Sequence, residues 1–81
     1  MLKVKAEGLE LRGVATKQSK NGNAYYLINC ETEDGTAVQF YCPDYNSIQP
    51  GLHKGDMVNI TCLVSSYKGN DKLNVTEVVK C

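Results

Sequence analysis

The sequence predicts an all-β fold, a small closed barrel of five strands, and three observations support this prediction. Two tight-turn signals, Asn21-Gly22 and Asp34-Gly35, flank a segment rich in aromatic and β-branched residues, which is typical of consecutive β-hairpins. Apolar and polar residues alternate along most of the chain, and no window has a convincing helical period. Turn signals recur at regular spacing, which favours a closed barrel because closure removes exposed strand edges.

The first strand region is predicted in two parts. Residues 2–6 are expected to form a short edge strand, and residues 9–17 a longer segment that bends at Gly13. A glycine inside a strand often marks a bulge, and a strand that serves both halves of a barrel needs one. The alternation changes phase at this bend, so that Val14 becomes a candidate core residue.

The other predicted strands each have one apolar face, which we assign to the barrel interior. They span residues 25–33, 37–42, 55–67 and 72–79, with a turn at 68–71. The connection between the third and fourth strands is too short for a long helix. The expected inward residues are Tyr26, Ile28, Cys30, Val38, Phe40, Cys42, Val58, Ile60, Cys62, Val64, Leu73 and Val75.

The chain length and the absence of targeting signals limit the possible classes of protein. Eighty-one residues predict one domain, residues 1–81, with little room for a deep enzyme pocket. No stretch approaches the roughly 20 apolar residues of a membrane span. Residues 1–5 (MLKVK) have no apolar signal core, so a cytoplasmic location is expected.

Three of the four cysteines, Cys30, Cys42 and Cys62, fall at core-like strand positions and are expected to be buried free thiols. Cys30, Cys42, Cys62 and Cys81 include no Cys-x-x-Cys pair, and His53 is the only histidine. Zinc or disulfides are the less favoured alternatives, since cysteine is among the most buried residue types. The sequence also has no nucleophile–base pair and no Gly-rich phosphate loop. We therefore expect no enzyme activity, no metal and no cofactor.

The charges are balanced in total and uneven along the chain. Residues 1–23 carry five basic and two acidic groups, residues 24–56 one and five, and residues 57–81 three and two. A net charge of zero weakens the case for an anionic partner, because phosphate binding depends on Lys and Arg. The uneven distribution keeps that case open.

The pattern of strands and turns resembles an OB-fold. The features that carry this resemblance are five strands, a bulged first strand and the turn of residues 20–25 (Lys-x-Gly-x-x-Tyr). In OB-folds the outer face of strands two and three, with the loops joining strands one to two and four to five, holds oligonucleotides or oligosaccharides.

A closer resemblance covers most of the chain and rests on four short motifs. Residues 1–4 (MLKV) are similar to Met-Ile-Lys-Val, and residues 19–25 (SKNGNAY) to Ser-Arg-x-Gly-Lys-Pro-Tyr. Residues 50–53 (PGLH) are similar to Pro-Gly-Leu-Tyr, and residues 65–68 (SSYK) to Ser-Ser-Phe-Lys. In this order, the motifs resemble those of the single-stranded-DNA-binding proteins of filamentous phages, the gene-five-protein type.

That resemblance implies roles for particular residues. It implies that Lys20 contacts a phosphate, that Tyr25 stacks on a base, and that Tyr67 and Lys68 lie near a hairpin that helps to cover DNA. It also implies a two-fold dimer. The chain departs from the family pattern at Lys20, which replaces an arginine and lacks its bidentate fork, and at Asn23, which replaces a lysine. The turn after Tyr67 is shorter.

Two sets of side chains are candidates for the binding surface. Tyr25 and Tyr41 are predicted on the outer faces of neighbouring strands, where they are either stacking platforms for bases or a cross-strand pair that only steadies the sheet. The second set is basic and is either a track for a phosphate backbone or a group of ordinary solvated side chains. It contains Arg12, Lys17, Lys20, Lys68 and Lys72.

The first hypothesis is a largely sequence-independent single-stranded-DNA-binding protein that coats DNA in phage or mobile-element replication. It would act as a homodimer in the cytoplasm of a bacterial or phage-infected cell, with RNA as an alternative ligand and no small-molecule substrate. A protein-interaction module that uses the acidic middle segment and an open strand edge is the main rival. A saccharide-binding barrel is a third. The expected contacts are Arg12, Lys17, Lys20, Tyr25, Tyr41, Tyr67, Lys68 and Lys72.

Overall fold

The chain forms a closed ring of five β-strands. A computed structural model describes the backbone of residues 2–67 and 69–81, together with their side chains outside 65–67 and 70–72. The strand order is β1-β2-β3-β5-β4, and β4 pairs back onto β1. The strands are β1 (Leu2–Gln18), β2 (Ala24–Glu31), β3 (Ala37–Cys42), β4 (Met57–Tyr67) and β5 (Asn70–Lys80).

The connection between β3 and β4 contains one short helical turn. This 3₁₀ turn spans Tyr45–Ser47, and the Asp44 carboxylate accepts a hydrogen bond from the Asn46 amide at its start. The prediction of an all-β, five-stranded OB-fold barrel without a long helix between strands three and four is thus confirmed. Among the described residues, no helix combines the length and apolar character needed to cross a membrane.

The first strand serves both halves of the ring. Its N-terminal half pairs with β4 and its C-terminal half with β2, both antiparallel. The register shifts between Leu11 and Gly13, which confirms the predicted bulge, and again between Ala6 and Leu9. Gly8 lies within this second irregularity. Its φ of 68° is a conformation that glycine adopts without a Cβ clash. The chain therefore continues as one strand where the sequence predicted two.

Both predicted hairpin turns are present and have the same construction. The Gly22 amide donates to the Ser19 carbonyl at 3.0 Å, and the Gly35 amide donates to the Thr32 carbonyl at 2.9 Å. The two glycines have φ values of 83° and 86°, the left-handed conformation that ends a three-residue hairpin loop. In the second turn the Asp34 carboxylate also accepts hydrogen bonds from the Thr32 hydroxyl and the Thr36 backbone amide, which lowers the pKa of its carboxyl.

The barrel interior is filled by the predicted apolar faces of β2, β3 and β4. Ile28, Val58 and Ile60 are fully buried, and complete burial of such a side chain contributes about 1.5–3 kcal/mol. Tyr26, Val38 and Phe40 are partly buried against the core. The buried core comprises Leu9, Leu11, Ile28, Cys30, Cys42, Ile48, Val58, Ile60, Cys62, Val75 and Val78.

Two predicted core residues are instead exposed. Val14 is 39% exposed; it pairs with Ile28 but lies where the barrel opens, beside a pocket of about 280 Å³ that Tyr45 also lines. Leu73 is 47% exposed; it pairs with Val64 and lies on the hairpin-tip side of Asn74, the β5 residue that pairs with β3. Both predictions were wrong for one reason: alternation assigns a side chain to a face but does not show where the barrel ends.

Three of the four thiols lie in the core, as the sequence predicted. Cys30, Cys42 and Cys62 are buried and free, and Cys81 is exposed. Burial raises the pKa of Cys30 to about 11, since the apolar interior disfavours the thiolate. These thiols therefore pack as small apolar side chains at neutral pH.

Candidate nucleic-acid interface

The candidate site is the outer surface of β1, β2 and β3, which we call the outer face. Strand pairing brings Lys17 opposite Tyr25, Leu27 opposite Tyr41, and Asn29 opposite Gln39. Side chains opposite one another point to the same side of a sheet, so these rows form one surface. Its residues are Glu10, Arg12, Gly13, Ala15 and Lys17 of β1, Tyr25, Leu27, Asn29 and Glu31 of β2, and Ala37, Gln39 and Tyr41 of β3.

The two predicted stacking residues lie together on this face. Tyr41 is opposite Leu27, two positions from Tyr25, which makes the tyrosines diagonal neighbours. Their ring centroids are 5.4 Å apart, and the ring planes are inclined by 39°. Tyr41 is 42% exposed and Tyr25 is half-buried. The pair, hereafter the tyrosine pair, thus presents aromatic surface to solvent while its rings contact each other.

Two of the predicted cations lie at the same end of the outer face. Lys17 is the direct partner of Tyr25 in the β1–β2 ladder. Lys20 is exposed in the turn that follows, within the hairpin closed by the Ser19 amide, which donates to the Asn23 carbonyl at 2.8 Å. The tyrosine pair and these lysines therefore meet where β1 turns into β2.

Arg12 lies at the other end of the face, between two carboxylates. Its Nη1 donates to Glu10 Oε1 at 2.7 Å, and its Nε lies 3.7 Å from Glu31 Oε2. The hydrogen bond that Arg12 donates to Glu10 and the negative charge of Glu31 raise the pKa of the Arg12 guanidinium. The structure therefore does not bring Arg12 together with Lys17 and Lys20.

The remaining predicted contacts belong to the β4–β5 hairpin. Lys68 lies outside the described residues, and the side chains of Tyr67 and Lys72 do as well. The backbone pairs Tyr67 with Asn70 and Lys72 with Ser65. The roles predicted for Tyr67, Lys68 and Lys72 stay predictions.

Three further candidate contacts of the outer face, Leu27, Asn29 and Gln39, were not among the predicted contacts. Leu27 lies between the rows that carry the tyrosines, and the Gln39 side-chain amide donates to Asn29 Oδ1 at 2.8 Å. An amide pair offers donors and acceptors to a base edge. The alternation of β2 and β3 already assigned these residues to the outward side, so parity along the strand was the signal that could have found them.

The acidic end of the outer face carries Glu10 and Glu31, with Glu33 in the adjoining hairpin turn. These carboxylates border a shallow groove of about 560 Å³ that Gly8 and Met57 also line. Among the described residues, no group of three or more His, Cys, Asp or Glu side chains is placed to hold a metal ion. The face thus offers aromatic rings and cations at one end and carboxylates at the other.

Comparison with known proteins gives no further assignment. No protein-family model, no curated protein and no solved structure matches this chain. The fold and the composition of the outer face are therefore the basis for a functional hypothesis.

Proposed function

We propose that this protein binds single-stranded nucleic acid, DNA in the first place, on the outer face and largely without regard to sequence. It acts stoichiometrically, as a coat, and not as an enzyme. Bases stack on the tyrosine pair, and phosphates lie near Lys17 and Lys20.

The observation that carries the proposal is the pair of outward tyrosines. An aromatic ring left partly open to water on a β-sheet offers a flat surface to any base, because every base has a π-face. The exposed Tyr41 ring and the half-buried Tyr25 ring stand side by side. Their inclination of 39° suits two successive bases that are not parallel to each other.

The charges nearby support the same assignment. Lys17 is opposite Tyr25, and Lys20 is in the adjoining turn, so cations stand at the edge of the aromatic surface. A polynucleotide that stacks there meets them with its phosphates, which makes affinity dependent on salt. Two such lysines and a net charge of zero support modest affinity, with stacking as the larger contribution.

A purely structural role for the tyrosine pair is the alternative to exclude. Two aromatic rings in contact across strands stabilise a sheet by about 0.5–1.5 kcal/mol on their own. Such a pair would stabilise the fold and leave nucleic-acid binding unaffected. Removing one ring while measuring both binding and stability separates the two roles.

The biological setting follows from the motif resemblance. Residues 19–25 and 50–53 resemble segments of the gene-five-protein type, and we propose a role in phage or mobile-element DNA replication in the cytoplasm of the host cell. RNA is the alternative ligand, and the 2′-hydroxyl is the group by which the protein would discriminate.

We also propose that the protein is a homodimer. Leu2, Val64 and Leu73 form one row across three strands, and Leu2 is 64% exposed and Leu73 47% exposed. A row of exposed apolar side chains is better covered than left in water, and a small domain gains stability by association. Sedimentation equilibrium should give twice the chain mass of 8.9 kDa; a single 8.9 kDa species at high micromolar concentration would rule the dimer out.

Fluorescence anisotropy with labelled oligo-dT tests the binding proposal. Wild-type protein should bind at low salt and weaken as salt rises, with a slope of log K against log salt near −1.4 if two phosphates are neutralised, since each contributes about 0.7 on single strands. The matched control is Lys3→Ala/Lys5→Ala, which removes two cations from the β1 segment paired with β4. It should keep this slope, whereas Lys17→Ala/Lys20→Ala should flatten it. No binding at tens of micromolar protein would reject the proposal.

A further inference from the structure

The arginine of the outer face is held by a pair of carboxylates that face each other. Glu10 and Glu31 are direct partners in the β1–β2 ladder, and like charges in opposite positions destabilise a sheet. The bulge between Leu11 and Gly13 contains Arg12, whose guanidinium contacts both carboxylates at 2.7 Å and 3.7 Å. Arg12 therefore balances a repulsion that the strand register creates.

The cluster of Glu10, Arg12 and Glu31 lies at the opposite end of the outer face from the tyrosine pair. Along β2 the outward positions run from Tyr25 through Leu27 and Asn29 to Glu31, which is about 20 Å at about 3.3 Å per residue. The acidic end, with Glu33 on the adjoining hairpin, faces the same groove. A phosphate that moved along the face away from Lys17 would approach carboxylates before it met another available cation.

We propose that Glu10 and Glu31 withhold Arg12 from the nucleic acid and so set where the binding surface ends. The proposal rests on the binding function proposed above and adds a boundary to it. The polynucleotide is confined to the end of the face that carries Tyr25 and Tyr41, with a site size at the short end of the roughly 4–16 nucleotides that an OB-fold covers. Glu10 and Glu31 are positioning residues, and Arg12 is a latent phosphate contact.

The geometry makes Glu10 the stronger of the two restraints. Its contact with Arg12 is a charge-assisted hydrogen bond of 2.7 Å, whereas the Glu31 contact is 3.7 Å. Both carboxylates are about 40% exposed, so water and salt screen the attraction. Loss of Glu10 alone should therefore release the guanidinium toward solvent.

The test compares Glu10→Gln with Glu33→Gln in the oligo-dT titration. Each variant removes one negative charge from the acidic end, and in the described part of the chain Glu33 makes no ion pair with Arg12. Glu10→Gln should bind about fivefold more tightly at low salt, as expected for one screened, charge-assisted phosphate contact. Its salt slope should steepen by about 0.7, the contribution of one phosphate. Glu33→Gln should bind within about twofold of wild type, since an exposed charge without a specific contact has a small effect.

The second comparison introduces Arg12→Gln into both wild type and Glu10→Gln. In wild type this change should leave affinity within about twofold, since Arg12 makes no contact there, and in Glu10→Gln it should cancel both the gain in affinity and the steeper slope. Thermal unfolding and circular dichroism verify that each variant is folded, and Arg12→Met, which keeps an unbranched stem and also removes the charge, replaces Arg12→Gln if the latter is not.

Three outcomes would overturn the inference. The first is that Arg12→Gln weakens wild-type binding severalfold, since Arg12 would then already be a contact. The second is that Glu33→Gln tightens binding as much as Glu10→Gln, since charge alone would then explain the effect. The third is that wild type binds and Glu10→Gln is no tighter. Absence of binding by both wild type and Glu10→Gln would instead reject the proposed function itself.

Discussion

Replacing Tyr41 with alanine removes the more exposed ring of the tyrosine pair and leaves the backbone pairing of β3 unchanged. Stacking of a base on an aromatic side chain contributes about 1–3 kcal/mol. Because the Tyr41 ring is 42% exposed and contacts Tyr25, part of its surface is already covered. We therefore expect a loss near the lower end of that range, about 1–2 kcal/mol, which is about 5- to 30-fold in the dissociation constant for oligo-dT.

The energetic coupling between Tyr25 and Tyr41 in binding is a second quantity that can be measured. Tyr25→Ala should weaken binding by a similar factor, and the double variant should depart from additivity by about 0.5 kcal/mol or more, because residues in contact are energetically coupled. The 5.4 Å separation of the ring centroids is the reason to expect coupling. Anisotropy titrations of the four proteins at one salt concentration measure it.

Two controls distinguish stacking from damage to the fold. Tyr41→Phe keeps the ring and should bind within about twofold of wild type, as stacking needs only the π-face. Tyr45→Ala removes a tyrosine that packs against Tyr26, with centroids 5.1 Å apart, on the opposite side of β2, and it should leave binding unchanged. If Tyr41→Ala is folded and binds oligo-dT as wild type does, the assignment of the outer face to nucleic acid is refuted.

The remaining predictions concern stability. Ile28→Ala should reduce the free energy of unfolding by about 2–4 kcal/mol in urea titrations, because it leaves a cavity in place of a fully buried side chain. Gly22→Ala should cost about 1 kcal/mol and Gly22→Asn less, since a φ of 83° is strained for residues other than glycine and asparagine. Burial raises the pKa of Cys30 from 9.0 to about 11, so the unfolded state loses the thiol proton first and stability should fall as pH rises from 9 to 11, a decline that Cys30→Ala should flatten. Only Cys81 should react rapidly with a thiol reagent at pH 8, because the other three cysteines are buried.

Each stability prediction has a result that would contradict it. A cost below 1 kcal/mol for Ile28→Ala would mean that the core is not closely packed at this position. Equal stability of Gly22→Ala and wild type would contradict the left-handed turn. Unchanged stability between pH 9 and 11, or several rapidly reacting thiols, would contradict the burial of Cys30.

The sequence predicted the strands and the hairpin turns well because those features are local. Alternation within β2, β3 and β4 depends on neighbouring residues, and the turns at Gly22 and Gly35 need a residue that tolerates positive φ. Placement relative to the barrel ends is not local. Parity along the strand predicts Val14 and Leu73 inward, but each side chain stays 39% or more exposed.

The candidate site shows the same division between local and long-range information. The outward direction of Tyr25 and Tyr41 follows from parity along two strands. The contacts of Arg12 do not follow from parity, because its partner Glu31 comes from another strand and the register is shifted between Leu11 and Gly13. The basic track was predicted from the positions of Lys and Arg in the sequence. The sequence does not show which carboxylates contact those cations in the fold.

Mapping amide chemical shifts in a ¹⁵N-labelled sample during titration with oligo-dT tests the central claim most directly. We predict that the perturbed amides cluster in residues 15–20, 23–29 and 39–42, with small changes at Glu10, Arg12 and Glu31. Saturable shifts confined to the surface of β4, or to the barrel-end pocket beside Val14, would contradict the outer face as the nucleic-acid interface.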